Sequence, residues 1–231
     1  MMFGDSSLIF REFIMRKPLD YHGSSSGLTP RLLVFLLAVF LPSCHTVVHP
    51  LIEPEQAKLD ERLFGAWKCV SSEPGDTSYW YLFVGRSGEA SAPPGIMKAI
   101  EVHNDKDGNV GHATLYFFQR TLGDVSYANV IDKVPPSPNG FLQWDRSNSK
   151  YYLVKYAVDN DRLSVWLMDT DAAESAVSKG ELKGTITHRG FLKWSEVQIT
   201  ETSEGLSRFL TGEGNQTLFP EAHKAVFVRM K

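Results

Sequence analysis

Short apolar–polar alternations, broken by turn residues every 8–12 positions or so, leave this chain few folds other than an antiparallel sandwich or barrel. The runs predict strands near 66–72, 79–85, 96–103, 110–120 and 125–132. Five more follow near 150–158, 162–168, 181–188, 192–200 and 224–230. Asp107-Gly108, Asn139-Gly140 and Asn160-Asp161 supply tight-turn chemistry between them, because Asn, Asp and Gly accept positive φ at low cost. The prolines at 93–94 and at 135, 136 and 138 mark loops, since a central strand cannot lose those donors. One hairpin has a testable register. With Asn160-Asp161 as a two-residue turn, Val158 faces Leu163, Tyr156 faces Val165 and Val154 faces Leu167, which gathers one apolar face, while Lys155 lies opposite Trp166. A barrel with its apolar faces inward is the expected architecture.

Two helices interrupt the strands. Asp171 can cap the run AAESAVSK, with Glu174 as capping-box partner and Gly180 as the stop. Thr202 or Ser203 can cap EGLSRFL, which ends at Gly212 and presents Leu206, Phe209 and Leu210 on one face for packing against the barrel.

With 42% hydrophobic residues over 231 positions, a sizeable core can be buried, so a disordered or collagenous chain is excluded. A net charge of −3 and a pI near 6.2 exclude a basic footprint for nucleic acid. The N-terminus carries an address. Residues 32–41 (LLVFLLAVFL) are all apolar, Arg31 precedes them, and Pro42, Ser43 and Cys44 follow. Ten helical residues cover about 15 Å, half a bilayer core, which fits a secretory signal rather than a span.

Leu41-Pro42-Ser43-Cys44 resembles the bacterial lipobox, departing from it at Pro42, where a small or β-branched residue is usual. The resemblance implies a signal peptide over 1–43, starting at Met1 or at Met15 with its following Arg16 and Lys17. It also implies an acylated Cys44 (palmitate or a similar chain), a tether over 44–57 and a folded domain over 58–231. The membrane is then a partner through the lipid alone, because the acidic surface offers no pull towards anionic headgroups. His45 after the cysteine, where Asp would mark retention, resembles the sorting pattern for the outer membrane of the cell envelope. An ordinary cleaved signal or a short uncleaved anchor are the alternatives. With Cys44 acylated, Cys69 has no disulfide partner and is expected in a strand as a small buried hydrophobe.

Leu63-Phe64-Gly65-Ala66-Trp67, after the charged stretch 55–62, resembles the G-x-W entry motif of the lipocalin and wider calycin group. The resemblance implies an antiparallel up-and-down lipocalin-like β-barrel, mainly β, with the two short helices inserted. Gly65 and Trp67 would close one end, and Arg229 of the terminal run VFVRM would stack on the indole as a cation–π partner. The second lipocalin motif, a T-D-Y-like turn, is absent, and ten strands exceed the simple pattern of eight.

For chemistry, the hairpin 96–118 stands out. With Asp107-Gly108 at its centre, His103 falls opposite His112, and Glu101 lies on the same face beside Thr114. Two imidazoles and a carboxylate suit Zn²⁺ or Fe²⁺. The other face holds Ile100, Val102, Ala113 and Leu115, so the trio is expected to face solvent. A calcium loop around Asp105 and Asp107 fails, because an EF-hand spacing would put Thr114 where an acid is required. No G-x-S-x-G elbow, phosphate-cradling glycine loop, H-E-x-x-H or C-x-x-C occurs, and no cofactor motif is present.

Aromatics crowd three of the expected strands: Tyr79, Trp80, Tyr81 and Phe83; then Tyr116, Phe117 and Phe118; then Tyr151, Tyr152 and Tyr156. An eight-stranded barrel is just wide enough to be filled by side chains or to hold one small ligand, and these residues serve either outcome. Tyr81, Phe83 and Tyr156 are the candidate pocket residues. The expected function is an envelope lipoprotein binding a small apolar ligand. The alternatives are a filled-barrel lipoprotein that binds a protein partner, and a metal-dependent enzyme built on Glu101, His103 and His112.

Overall fold

The computed structural model describes residues 45–70, 79–104, 109–132, 144–145, 147–189 and 194–231. The signal segment, Cys44 and the turns at Asp107-Gly108 and Asn139-Gly140 lie outside the described residues. Eleven strands form among those described: β1 (His45–Val47), β2 (Gly65–Cys69), β3 (Trp80–Arg86), β4 (Met97–Asn104), β5 (Val110–Leu122), β6 (Val125–Ile131), β7 (Tyr151–Asp159), β8 (Arg162–Leu167), β9 (Gly184–Arg189), β10 (Trp194–Ile199) and β11 (Lys224–Arg229). Ten fall on the expected runs. Strand β1 was not expected.

Strands β2 to β8 follow one another around a closed antiparallel barrel, and β11 sits between β8 and β2 to complete eight strands. The β7–β8 hairpin has the predicted register: Val158 pairs with Leu163, Tyr156 with Val165, and Val154 with Leu167. Asn160 takes φ 50°, the left-handed conformation that such a turn requires.

The registers also fix the width of the barrel. Following paired residues once around the eight strands returns to β2 displaced by about 12 residues. With ordinary strand spacing, that stagger tilts the strands by about 45° and gives a backbone radius of about 9 Å. Eight strands with a stagger of 8, as in barrels whose interiors are packed solid, have a radius of only about 7.5 Å. The extra width must be filled by larger side chains or left open.

The other three strands extend the sheet outside the barrel. β1 pairs in parallel with β10, touches the start of β7 at Val47–Tyr151, and β10 carries β9 at the free edge. Three helices cover this extension: α1 (Thr170–Ser178), α2 (Ser203–Thr211) and α3 (Gly214–Leu218). The cap of α1 is Asp169, whose carboxylate accepts from Ala172 N at 2.9 Å. The helix thus starts earlier than the Asp171 cap predicts, and Glu174 lies within it instead of closing a capping box. Helix α2 is capped by Thr202 and ends at Gly212 as expected, with Leu206 and Leu210 buried. α3 has no counterpart in the sequence reading.

The core is divided accordingly. Trp67, Met97, Phe117, Val130, Tyr156 and Phe227 belong to the barrel interior. A second cluster, with Val47, Tyr127, Leu153, Val197, Leu206 and Phe219, lies between the outer wall of the barrel and the helices. It corrects the reading of 44–57 as a tether. His45, Thr46, Val47 and Leu51 are all buried, and Asn129 Oδ1 accepts from Leu51 N at 2.9 Å. The segment has little periodicity because a three-residue strand shared between two neighbours has no face to alternate.

Candidate functional site: the barrel interior

One end of the barrel is closed by a compact set of contacts. A 3-10 turn over Glu61–Leu63 leads into β2, and its cap Asp60 is 8% exposed. Asp60 accepts from Arg62 Nε at 2.9 Å, from Arg62 Nη2 at 2.7 Å and from the Tyr156 hydroxyl at 3.0 Å. Burial pushes this carboxyl up, but the bonds from Arg62 and Tyr156 outweigh it and hold it below the ordinary range. The Tyr156 hydroxyl is pushed up by burial and by the adjacent Asp60.

Trp67 is fully buried and donates to Leu63 O at 2.7 Å. The Arg229 guanidinium lies 4.1 Å from the centre of its ring and donates to Phe64 O at 2.5 Å and Arg62 O at 2.6 Å. One cation therefore covers the indole and ties off two carbonyls of the entry turn. Gly65 has φ +128°, and a Cβ there would stand 2.8 Å from Arg229 Nη1, so the backbone conformation and the packing both require glycine. Cys69 is half-buried at the far end of β2 and packs against the barrel core.

Above this closed end lies a cavity of about 110 Å³. Its wall is built by seven of the eight barrel strands and is almost wholly aliphatic and aromatic, with Leu82, Val84, Leu115, Val130 and Leu167 among its residues. Tyr156 reaches it from β7 and Trp80 from β3. Among the described residues its one charged group is Glu101, in the middle of β4 and 2% exposed. Glu101 Oε1 is 3.0 Å from His103 Nδ1, but the two are not aligned for a hydrogen bond. The Trp80 ring packs beside His103 with centroids 5.6 Å apart. Burial pushes the Glu101 carboxyl up to about 7, opposed only by the Trp80 indole N–H.

Several expectations are corrected here. In β4–β5, His103 pairs with Gly111 and Glu101 with Ala113, one residue away from the predicted register. A slip of one residue exchanges the faces of one strand relative to the other. His112 therefore faces outward, exposed and paired with Val102, while Glu101 and His103 face inward with Ala99. The three do not converge, and among the described residues no group of three or more His, Cys, Asp or Glu side chains could hold a metal. Tyr81 and Phe83 are on the outer wall. Phe83 is 44% exposed and pairs with Ile100, itself 40% exposed. The residues of β3 that reach the cavity are Trp80, Leu82 and Val84. β3 is apolar on both faces, so alternation could not distinguish them. Of the three candidate pocket residues, only Tyr156 lines the cavity.

Glu101 as the polar group of the interior escaped the sequence reading. No local signal marked it: Glu101 shares a face with Ala99 and His103, and only the β4–β5 register, with Ala113 opposite, turns that face inward. The chain matches no family model, no curated protein and no solved structure.

Proposed function

We propose that this protein is an envelope lipoprotein whose up-and-down, lipocalin-like barrel carries a small apolar molecule. The observation that carries the reading is the cavity of about 110 Å³ with a nearly unbroken apolar wall inside a barrel of wide stagger. Binding sites are concave and mostly apolar, with few polar groups that set orientation, and this interior has that composition. Acylation at Cys44 would join the lipid directly to the buried strand β1, with no free spacer, so the domain would lie close to the membrane surface.

Native mass spectrometry of the full chain, purified gently from its own host, tests the carrier role. An added mass that leaves on solvent extraction supports it. A bare polypeptide mass turns the reading towards the partner-binding alternative, which the exposed Phe83–Ile100 pair on the outer wall favours. The anchor is tested separately: Cys44→Ala should move the protein from the detergent phase to the aqueous phase, and retention in detergent would refute acylation.

A further inference from the structure

We propose that Glu101 is the recognition group for a small organic cation, an otherwise apolar primary or secondary amine held in the barrel cavity. The inference rests on the carrier reading above and specifies its ligand class. A barrel that needed only filling would place an aliphatic residue at the centre of β4, as it does at Leu82 and Ala113, the residues paired with this position on either side. A buried carboxylate instead carries a desolvation cost that only a cation or several hydrogen bonds can offset. Glu101 is 2% exposed, and its Oε1 makes no hydrogen bond of acceptable geometry although His103 Nδ1 is near. It is thus a buried acceptor with capacity left, in the wall of the cavity.

The surroundings give the sign of the ligand. Among the described residues no lysine or arginine lines the cavity, so an acidic ligand would meet a carboxyl group and no permanent counter-charge. The titratable groups close by are His103, beside the carboxyl, and Tyr156, whose hydroxyl is already engaged by Asp60. An ammonium at Oε1 supplies the missing donor and neutralises the charge, and the shared hydrogen bond is of the stronger, charge-assisted kind. Burial raises the carboxyl to about 7, so a bound cation also draws it towards the ionised form. The size follows from volume. An apolar cavity of about 150 Å³ admits benzene, so 110 Å³ suits a small ring or branched chain of about four or five heavy atoms.

The test uses the full chain and two soluble probes of equal size, cyclobutylamine and cyclobutanol, titrated by isothermal calorimetry at pH 8. The wild type is expected to bind the amine roughly tenfold or more tightly than the alcohol. Glu101→Gln should bind both alike while retaining the alcohol, which shows that the variant folds and keeps its cavity. His103→Gln should keep the preference for the amine. Equal binding of the two probes by the wild type, or a preference that survives in E101Q, overturns the assignment of Glu101 and leaves the carrier reading standing. If the wild type binds neither probe, the carrier reading itself fails, and this inference with it.

Discussion

Glu101 makes a stability prediction that needs no ligand. Its carboxyl is raised from 4.5 to about 7 in the folded protein, chiefly by burial. Between those two values the folded state holds a proton that the unfolded state has released. The group's stability relative to its protonated form is therefore complete below pH 4.5 and is lost as pH rises through 7. A shift of that size, at about 1.4 kcal/mol per pH unit, corresponds to about 3 kcal/mol of destabilisation at pH 8. For a chain of this length that is about 6–12 °C in Tm.

Glu101→Gln keeps the shape and removes the ionisation. Urea unfolding followed by tryptophan fluorescence at pH 5, 6, 7 and 8 would give both stability curves. The variant should match or fall slightly below the wild type at pH 5 and exceed it by about 3 kcal/mol at pH 8, the gap opening between pH 5 and 7. The other titrating groups are common to both proteins, so the difference curve isolates this position. Parallel curves would mean that Glu101 is ionised without cost in the folded state, and the placing of its carboxyl in an apolar interior withdrawn from solvent would be wrong.

Four further outcomes follow from the same geometry. Arg229→Met removes the cover of Trp67 and the donors to two carbonyls, and should cost about 2–3 kcal/mol in denaturant unfolding. Gly65→Ala should cost about 2 kcal/mol or more, and measurably less in the Arg229→Met background, where the steric contribution disappears and the φ strain stays. His45 is held neutral, with burial lowering it to about 4 against the opposing pull of Asp169. Its contribution is present above pH 6.5 and lost as pH falls through 4, so His45→Asn should flatten the acid limb of the stability curve by up to about 3 kcal/mol. Ala99→Leu points new methyl groups into the cavity, so it should change stability by less than about 1 kcal/mol and abolish binding of both calorimetric probes. In a filled barrel the same substitution would cost about 1–3 kcal/mol.

What could be read from the sequence divides along a physical line. Features set by neighbours in the chain were legible: ten of the strands, the Asn160-Asp161 register, the Thr202 cap, and Gly65 followed by a buried Trp67. Features set by partners far away were not. β1 has three residues and gains its place from β10, some 150 positions on, so no local pattern marks it. Tyr81 and Phe83 look like pocket residues because β3 is apolar on both faces, and only the pairing of Trp80 with His103 decides which face is inside. The Glu101–His103–His112 trio came apart on a single-residue difference in how β4 meets β5.

The interior itself illustrates the limit most clearly. Whether an eight-stranded barrel is solid or hollow depends on its stagger, and the stagger is the accumulated sum of eight separate registers. A hairpin read alone contributes one of those eight values, and a shift of one residue in any of them alters the total and turns a strand face around. No motif encodes the sum. The same aromatic and aliphatic residues, wound with a stagger of 8, would close on one another and leave Glu101 no room. Wound with about 12, they leave the volume against which the carboxylate is set. The candidate site is thus a property of closure around the whole barrel, and the residue that gives it chemical character could be recognised only once every strand was in register.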